Sequence, residues 1–195
     1  MGFGLICAGL LTLLFMRIIP AELVGFAVIV KGLGMLKGYN SFFRAALYSA
    51  YALLTFSAVD AVIWVLKIAG VMPDIMLLES ILSYLHILML ITFQMFLFRA
   101  LSTLSRELGY DKGVKRSSLA LAVMAVFCLV TVLSLAGISV FGAAGLLMYL
   151  VNIAFCIFAV YTCYKGITTD EAEKKEEAKI EKFQKQFSRK KKNGK

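Results

Sequence analysis

What most constrains this chain is the spacing of its polar joints. Apolar residues run in blocks of about 15 to 27, and each block is closed by a short polar or Gly/Pro-containing stretch. A block of that length spans a bilayer as a helix, and no remaining stretch is long enough for a separate soluble catalytic domain. The block "LALAVMAVFCLVTVLSLAG" is apolar on every face, whereas the strands of a membrane barrel alternate apolar and polar residues. The expected fold class is therefore all-α, a polytopic transmembrane helix bundle. Composition agrees: 61% of residues are hydrophobic and 17% charged, against roughly 45–50% and 25% in ordinary soluble domains.

The blocks are Gly2 to Met16, Ala21 to about Leu36, Phe42 to Leu66, Ile75 to Ala100, Leu119 to Ala136 and Phe141 to Tyr164. Arg17 and Pro20 close the first, Gly70 and Pro73 mark the turn after the third, and "GISVFG" joins the last two. Such short connections require adjacent antiparallel helices. The first two blocks cover only about 22 to 24 Å, less than the ~30 Å hydrocarbon core. Six spans is the leading count, and four spans plus an N-terminal re-entrant hairpin is the alternative. Gly2, Gly4, Gly9, Gly25, Gly32, Gly34 and Gly38 make this first pair thin enough for close backbone packing. The start lacks the basic residues and cleavage site of a signal peptide, so it reads as a mature helix. Ile6 also stands where a myristoylation motif needs Ser or Thr.

Lys31, Lys37 and Arg44 surround one joint, and Arg99, Arg106, Lys112, Lys115 and Arg116 surround another. Arg17 and Lys67 are the only bases near the opposite ends. The positive-inside rule puts the two basic joints and both termini in the cytoplasm, most naturally of a bacterial cytoplasmic membrane. The chain thus divides into a helical membrane domain, residues 1–164, and a Lys-rich cytoplasmic tail, residues 165–195.

That tail carries eleven basic and six acidic residues, or +5 of the total +9. Thr168 and Glu171 have capping-box spacing, and Asp170/Lys174, Glu171/Lys175 and Glu181/Lys185 are i,i+4 pairs, so a charged helix to about Phe187 is expected. Ile180, Phe183 and Phe187 form an apolar stripe, followed by the basic run Arg189, Lys190, Lys191 and Lys192. These residues are candidates for contact with an anionic lipid surface or a membrane-protein partner, each nearby base contributing about 1 kcal/mol at a charged bilayer. The alternative is a solvated tail that only fixes topology. No recognition motif accompanies the bases, so a nucleic-acid partner is not expected.

Inside the apolar blocks the polar residues stand out. Glu79, Ser83 and His86, the only histidine, fall at i, i+4 and i+7 on one helix face. Matching the ends of blocks three and four brings Asp60 to about the depth of Leu82. A cluster of Asp60, Ser83 and His86 is therefore expected, with Glu79 near the outer headgroups. Lipid-facing charges cost at least ~2.5–3.5 kcal/mol near the bilayer centre, so such groups face one another, a cavity, or stay neutral. A structural hydrogen-bonded pair and a proton- or ion-linked site both fit the pattern. An enzyme would need a nucleophile or metal as well, and HExxH, GxSxG and phosphate-loop spacings are absent. One histidine forbids bis-histidine haem within one chain, and the ligands are too few for a metal. No cofactor is expected.

Gln94, Thr92 and Asn152 read as interhelical hydrogen-bonding residues, and Cys7, Cys128, Cys156 and Cys163 as free thiols in apolar segments. The leading functional expectation is a non-enzymatic scaffold, regulator or accessory subunit acting through its tail, alone, as a homo-oligomer or with a membrane-protein partner. The alternative is a small transporter or channel component with a proton- or ion-linked site at Asp60, Glu79 and His86.

Overall fold

A computed structural model of the protein describes residues 2–14, 19–70, 76–135 and 145–166. They form six helices and, among the described residues, no strand: α1 Gly2–Leu13, α2 Ile19–Leu36, α3 Ser41–Ile68, α4 Met76–Glu107, α5 Asp111–Leu135 and α6 Gly145–Gly166. Four helical stretches are long and apolar enough to cross a membrane: Ser41–Ile68, Ile81–Glu107, Asp111–Leu133 and Gly145–Gly166. With 12 residues, α1 reaches only about 18 Å, short of the ~30 Å hydrocarbon core. The "GISVFG" joint and the tail, including Ile180, Phe183, Phe187 and Arg189 to Lys192, lie outside the described residues.

Helices α1 to α5 each pack against the next in chain order, and α6 lies antiparallel to α5, with Phe127 against Tyr149 and Arg116 over Phe158. Helices α2, α4 and α6 consequently run one way and α1, α3 and α5 the other. One end of the bundle carries exposed Lys37, Arg44, Arg99, Arg106, Lys112, Lys115 and Arg116, and is called the basic end below. Association of apolar helices in lipid rests on close packing and polar contacts, not on expulsion of water. Both devices are visible here.

The α1–α2 contact is made through glycine. A Cβ added at Gly9 would stand 2.6 Å from the Gly25 carbonyl oxygen and 2.5 Å from Ile29 Cγ1, and one at Gly32 would stand 2.7 Å from the Gly2 oxygen. Gly2 and Gly9, like Gly25 and Gly32, are seven residues apart, so each pair lies on one helix face two turns apart. Gly4, Gly34 and Gly38 face open space and take no part in the close approach.

At the basic end, Asn40 caps α3 by accepting from the Phe43 N–H at 2.9 Å, while its Nδ2 donates to the Ala100 carbonyl of α4 at 3.1 Å. One side chain thus satisfies an orphan helix N–H and fixes the level of α3 against α4. Helix α4 runs seven residues beyond Ala100, where hydropathy alone would end it. It stops at Gly109, whose φ of +68° suits a residue without Cβ, with the Tyr110 N–H bonded to Ser105 O at 2.8 Å and the Gly109 N–H to Arg106 O at 3.1 Å. This is a Schellman closure. Helix α5 restarts at once from Asp111, eight residues before its apolar block, so both helices project beyond the membrane-length stretch.

The buried core is concentrated toward the basic end. Among the described side chains, Ser57 is the last buried on α3 and Phe127 the last on α5, while Leu90 and Tyr149 are the first on α4 and α6. Farther out, Val62, Val65, Ile68, Leu88 and Leu129 are exposed, as lipid-facing residues should be.

Candidate functional site: a buried Glu–His pair between parallel helices

His86 does not meet the carboxylate expected from the sequence. Its Nε2 lies 3.0 Å from Oε1 of Glu22 on α2, with the two side chains 14% and 11% exposed. The approach is within ion-pair distance but outside hydrogen-bond geometry, and neither atom has a hydrogen-bond partner. A carboxyl group set beside an imidazole is an arrangement in which a charge on one side chain can be compensated locally by the other.

The helix registers explain the meeting. Glu22 lies fourteen residues before Leu36, at the end of α2, and His86 fourteen before Ala100, the residue that Asn40 holds. Each is therefore about 21 Å along its parallel helix from the same basic-end level. Phe26, one turn after Glu22, sets its ring 6.3 Å from the His86 ring and 6.5 Å, edge-on, from Phe93. From α3, Phe56 meets the imidazole edge-on at 5.5 Å. The pair is thus walled by aromatics.

Asp60 takes another position. From the Asn40–Ala100 level it lies about 9 Å farther out than His86 and beyond the first turn of α2. It is half-buried, with no ion pair or side-chain hydrogen bond among the described residues. The expected Asp60–His86 pairing is not formed, because α3 presents Phe56 to the imidazole and the hairpin supplies its own carboxylate at that depth. Ser83 is exposed, and the side chain of Glu79 lies outside the described part of α4. Sequence reading missed Glu22 because it follows Pro20 at the start of a short block and resembles an interfacial helix start. The signal that could have found it is the count of residues back from each basic joint.

A second polar contact lies deeper toward the basic end. Asn152 Nδ2 of α6 donates to Gln94 Oε1 of α4 at 2.8 Å, both residues fully buried. Near the end of the same seam, Ser105 Oγ and Cys163 Sγ are 3.3 Å apart. Between these levels and Glu22 sits Tyr149 of α6, buried and edge-on to Phe127. Thr92 spends its hydroxyl on its own helix, donating to Leu88 O at 2.9 Å.

The four cysteines are free, with Cys156 and Cys163 buried. Among the described residues no group of three or more His, Cys, Asp or Glu side chains converges as a metal site would require. Among the described residues the interior therefore offers one carboxylate–imidazole pair, a buried phenol, and an amide pair toward the basic end. The chain matches no family model, no curated protein and no solved structure.

Proposed function

We propose that this membrane-embedded helical protein is a small, non-enzymatic carrier or channel component whose proton-linked site is the Glu22–His86 pair. The observation that carries the reading is the 3.0 Å approach of Nε2 to a carboxylate in the bundle interior, with neither atom otherwise hydrogen-bonded. A purely structural pair gains most when every buried donor and acceptor is met. A pair left with open valence is suited to taking up and releasing a proton. Ionisable residues inside membrane proteins commonly mark ion pathways and proton relays.

Among the described residues, the titratable groups around the site are Glu22 from α2, His86 from α4 and Tyr149 from α6, while α3 places Phe56 and Ser57 there and keeps Asp60 farther out. With the basic end in the cytoplasm, as the Lys/Arg bias favours, the pair lies in the outer half of the bundle. The test is proton flux into liposomes containing the purified protein. Expected is a pH-dependent flux lost in both Glu22→Gln and His86→Phe and retained in Asp60→Asn. Equal flux in all four proteins would overturn the reading.

A second reading is kept for the tail. Its eleven basic and six acidic residues, with Ile180, Phe183 and Phe187 at helical spacing, favour a scaffold or accessory subunit that touches anionic lipid or a membrane-protein partner. Removal of residues 167–195 would release such a partner while leaving flux unchanged.

A further inference from the structure

Among the described residues, seven buried side-chain atoms lack hydrogen-bond partners: Glu22 Oε1, Ser57 Oγ, His86 Nε2, Gln94 Nε2, Ser117 Oγ, Tyr149 OH and Asn152 Oδ1. Buried polar atoms are rarely left in that state, since each unmet group costs roughly 1–3 kcal/mol. Their distribution is not scattered. All except Ser117 belong to the seam where α2, α4 and α6 run parallel and α3 covers the Glu22–His86 level.

The levels follow from the register. Gln94–Asn152 and Ser105–Cys163 are both separated by 58 residues, so α4 and α6 keep one register along their contact. On that register Tyr149 stands level with Ile91, between His86 and Gln94. Its side chain leans toward the helix N-terminus, in the direction of Glu22. Ser57 follows Phe56, whose ring touches His86. The unmet atoms therefore descend in order from Ser57 and the Glu22–His86 pair, through the Tyr149 hydroxyl, to the free amide hydrogens of Gln94 and the free oxygen of Asn152. The span from His86 to Gln94 is eight residues, about 12 Å of helix axis.

We infer that this seam holds a short file of buried water molecules linking the Glu22–His86 pair to the Gln94–Asn152 pair. A buried water typically makes 2–4 hydrogen bonds to otherwise unmet polar groups. The seam supplies acceptors at Glu22 and Asn152, a donor at Gln94, and a hydroxyl at Tyr149 that serves as either. A proton passing between Glu22 and His86 through an adjoining water breaks one O–H or N–H bond for each one it forms, while the Gln94–Asn152 amides orient the file by hydrogen bonds and take up no proton. The inference deepens the carrier reading by hydrating its site from the bundle interior, yet hydration of the seam can be measured without any flux.

The experiment is water-edited solid-state NMR on the full chain in lipid bilayers, with nitrogen labels on Gln, Asn and His. His86 is the sole histidine, so its ring needs no assignment against others. Expected is transfer of water magnetisation to the Gln94 and Asn152 side-chain amides and to the His86 ring, with the Leu97 backbone amide of the same helix at least several-fold weaker. Tyr149→Phe is expected to reduce transfer to the Gln94 amide by half or more. Amides as dark to water as Leu97 in the unaltered protein would overturn the inference, since the side chains would then satisfy one another directly. The unaltered protein decides this even if Tyr149→Phe fails to fold. Hydrated amides in a protein without proton flux would leave the water file standing and remove the carrier reading.

Discussion

Asn152 and Gln94, both fully buried, share one 2.8 Å hydrogen bond across α4 and α6, and each keeps one polar atom unspent. Removing one partner should therefore hurt more than removing both. Gln94→Leu or Asn152→Leu alone should cost about 1–3 kcal/mol, because a buried amide is left without its mate. The double leucine variant should lose much less, near the ~0.6 kcal/mol average of polar contacts between membrane helices. Reversible unfolding of the four proteins in mixed micelles, arranged as a double-mutant cycle, measures the difference.

Glu22 and His86 should show the same asymmetry more strongly, because the surviving group is ionisable. Glu22→Leu should destabilise the bundle by several kcal/mol, and combining it with His86→Phe should restore part of that loss. Asp60→Asn and Ser83→Ala should stay within ~0.5 kcal/mol of the parent, since neither residue has a partner among the described residues. A large effect of Asp60→Asn alone would return that carboxylate to the centre of the site. Thermal unfolding in one detergent compares the four variants with the parent.

The glycine contact divides its own residues into two classes. Gly9→Ala and Gly32→Ala should each cost about 1–3 kcal/mol, since the added methyl meets a backbone oxygen that cannot retreat. Gly4→Ala and Gly34→Ala should be neutral or slightly stabilising, because alanine favours the helix and nothing opposes its methyl. The readout is again unfolding, with proteolysis of the α1–α2 loop as a check on hairpin integrity.

Asn40 has two separable jobs. Asn40→Ala should cost about 1–2 kcal/mol through loss of the α3 cap. Asn40→Asp keeps an acceptor for the Phe43 N–H but has no donor for Ala100 O, so it should retain the helix start while loosening α3 from α4. Cross-linking yield between cysteines placed near residues 40 and 100, compared across the two variants, distinguishes cap from tether.

How much of this was legible in the sequence depended on range. The six helices followed from block length and joints, because both are local. The ends of α4 and α5 did not, since hydropathy marks only the membrane-length part, while Gly109 and Asp111 mark the true stop and start. Gln94 and Asn152 were expected to bond between helices and do so with each other, whereas Thr92, grouped with them, bonds its own backbone. The partner of His86 was the largest miss. Depth matching between neighbours α3 and α4 selected Asp60, but α4 also contacts α2, and no local pattern shows which non-adjacent helix reaches the same level. One polar residue of a short block, Glu22, decided the outcome.

The pairing of α2 with α4 also sets a timetable for the protein's synthesis. Glu22 is translated 64 residues before His86, an interval of roughly 3 to 13 seconds at common elongation rates. Throughout that interval the glycine-packed hairpin of α1 and α2 carries a carboxyl with no imidazole to meet, and helix α3 brings Phe56 and Ser57 to that depth but no base. The arrival of α4 supplies the missing partner. Closure of the bundle is therefore a late event, triggered by the fourth helix and not by the first pair that the ribosome releases.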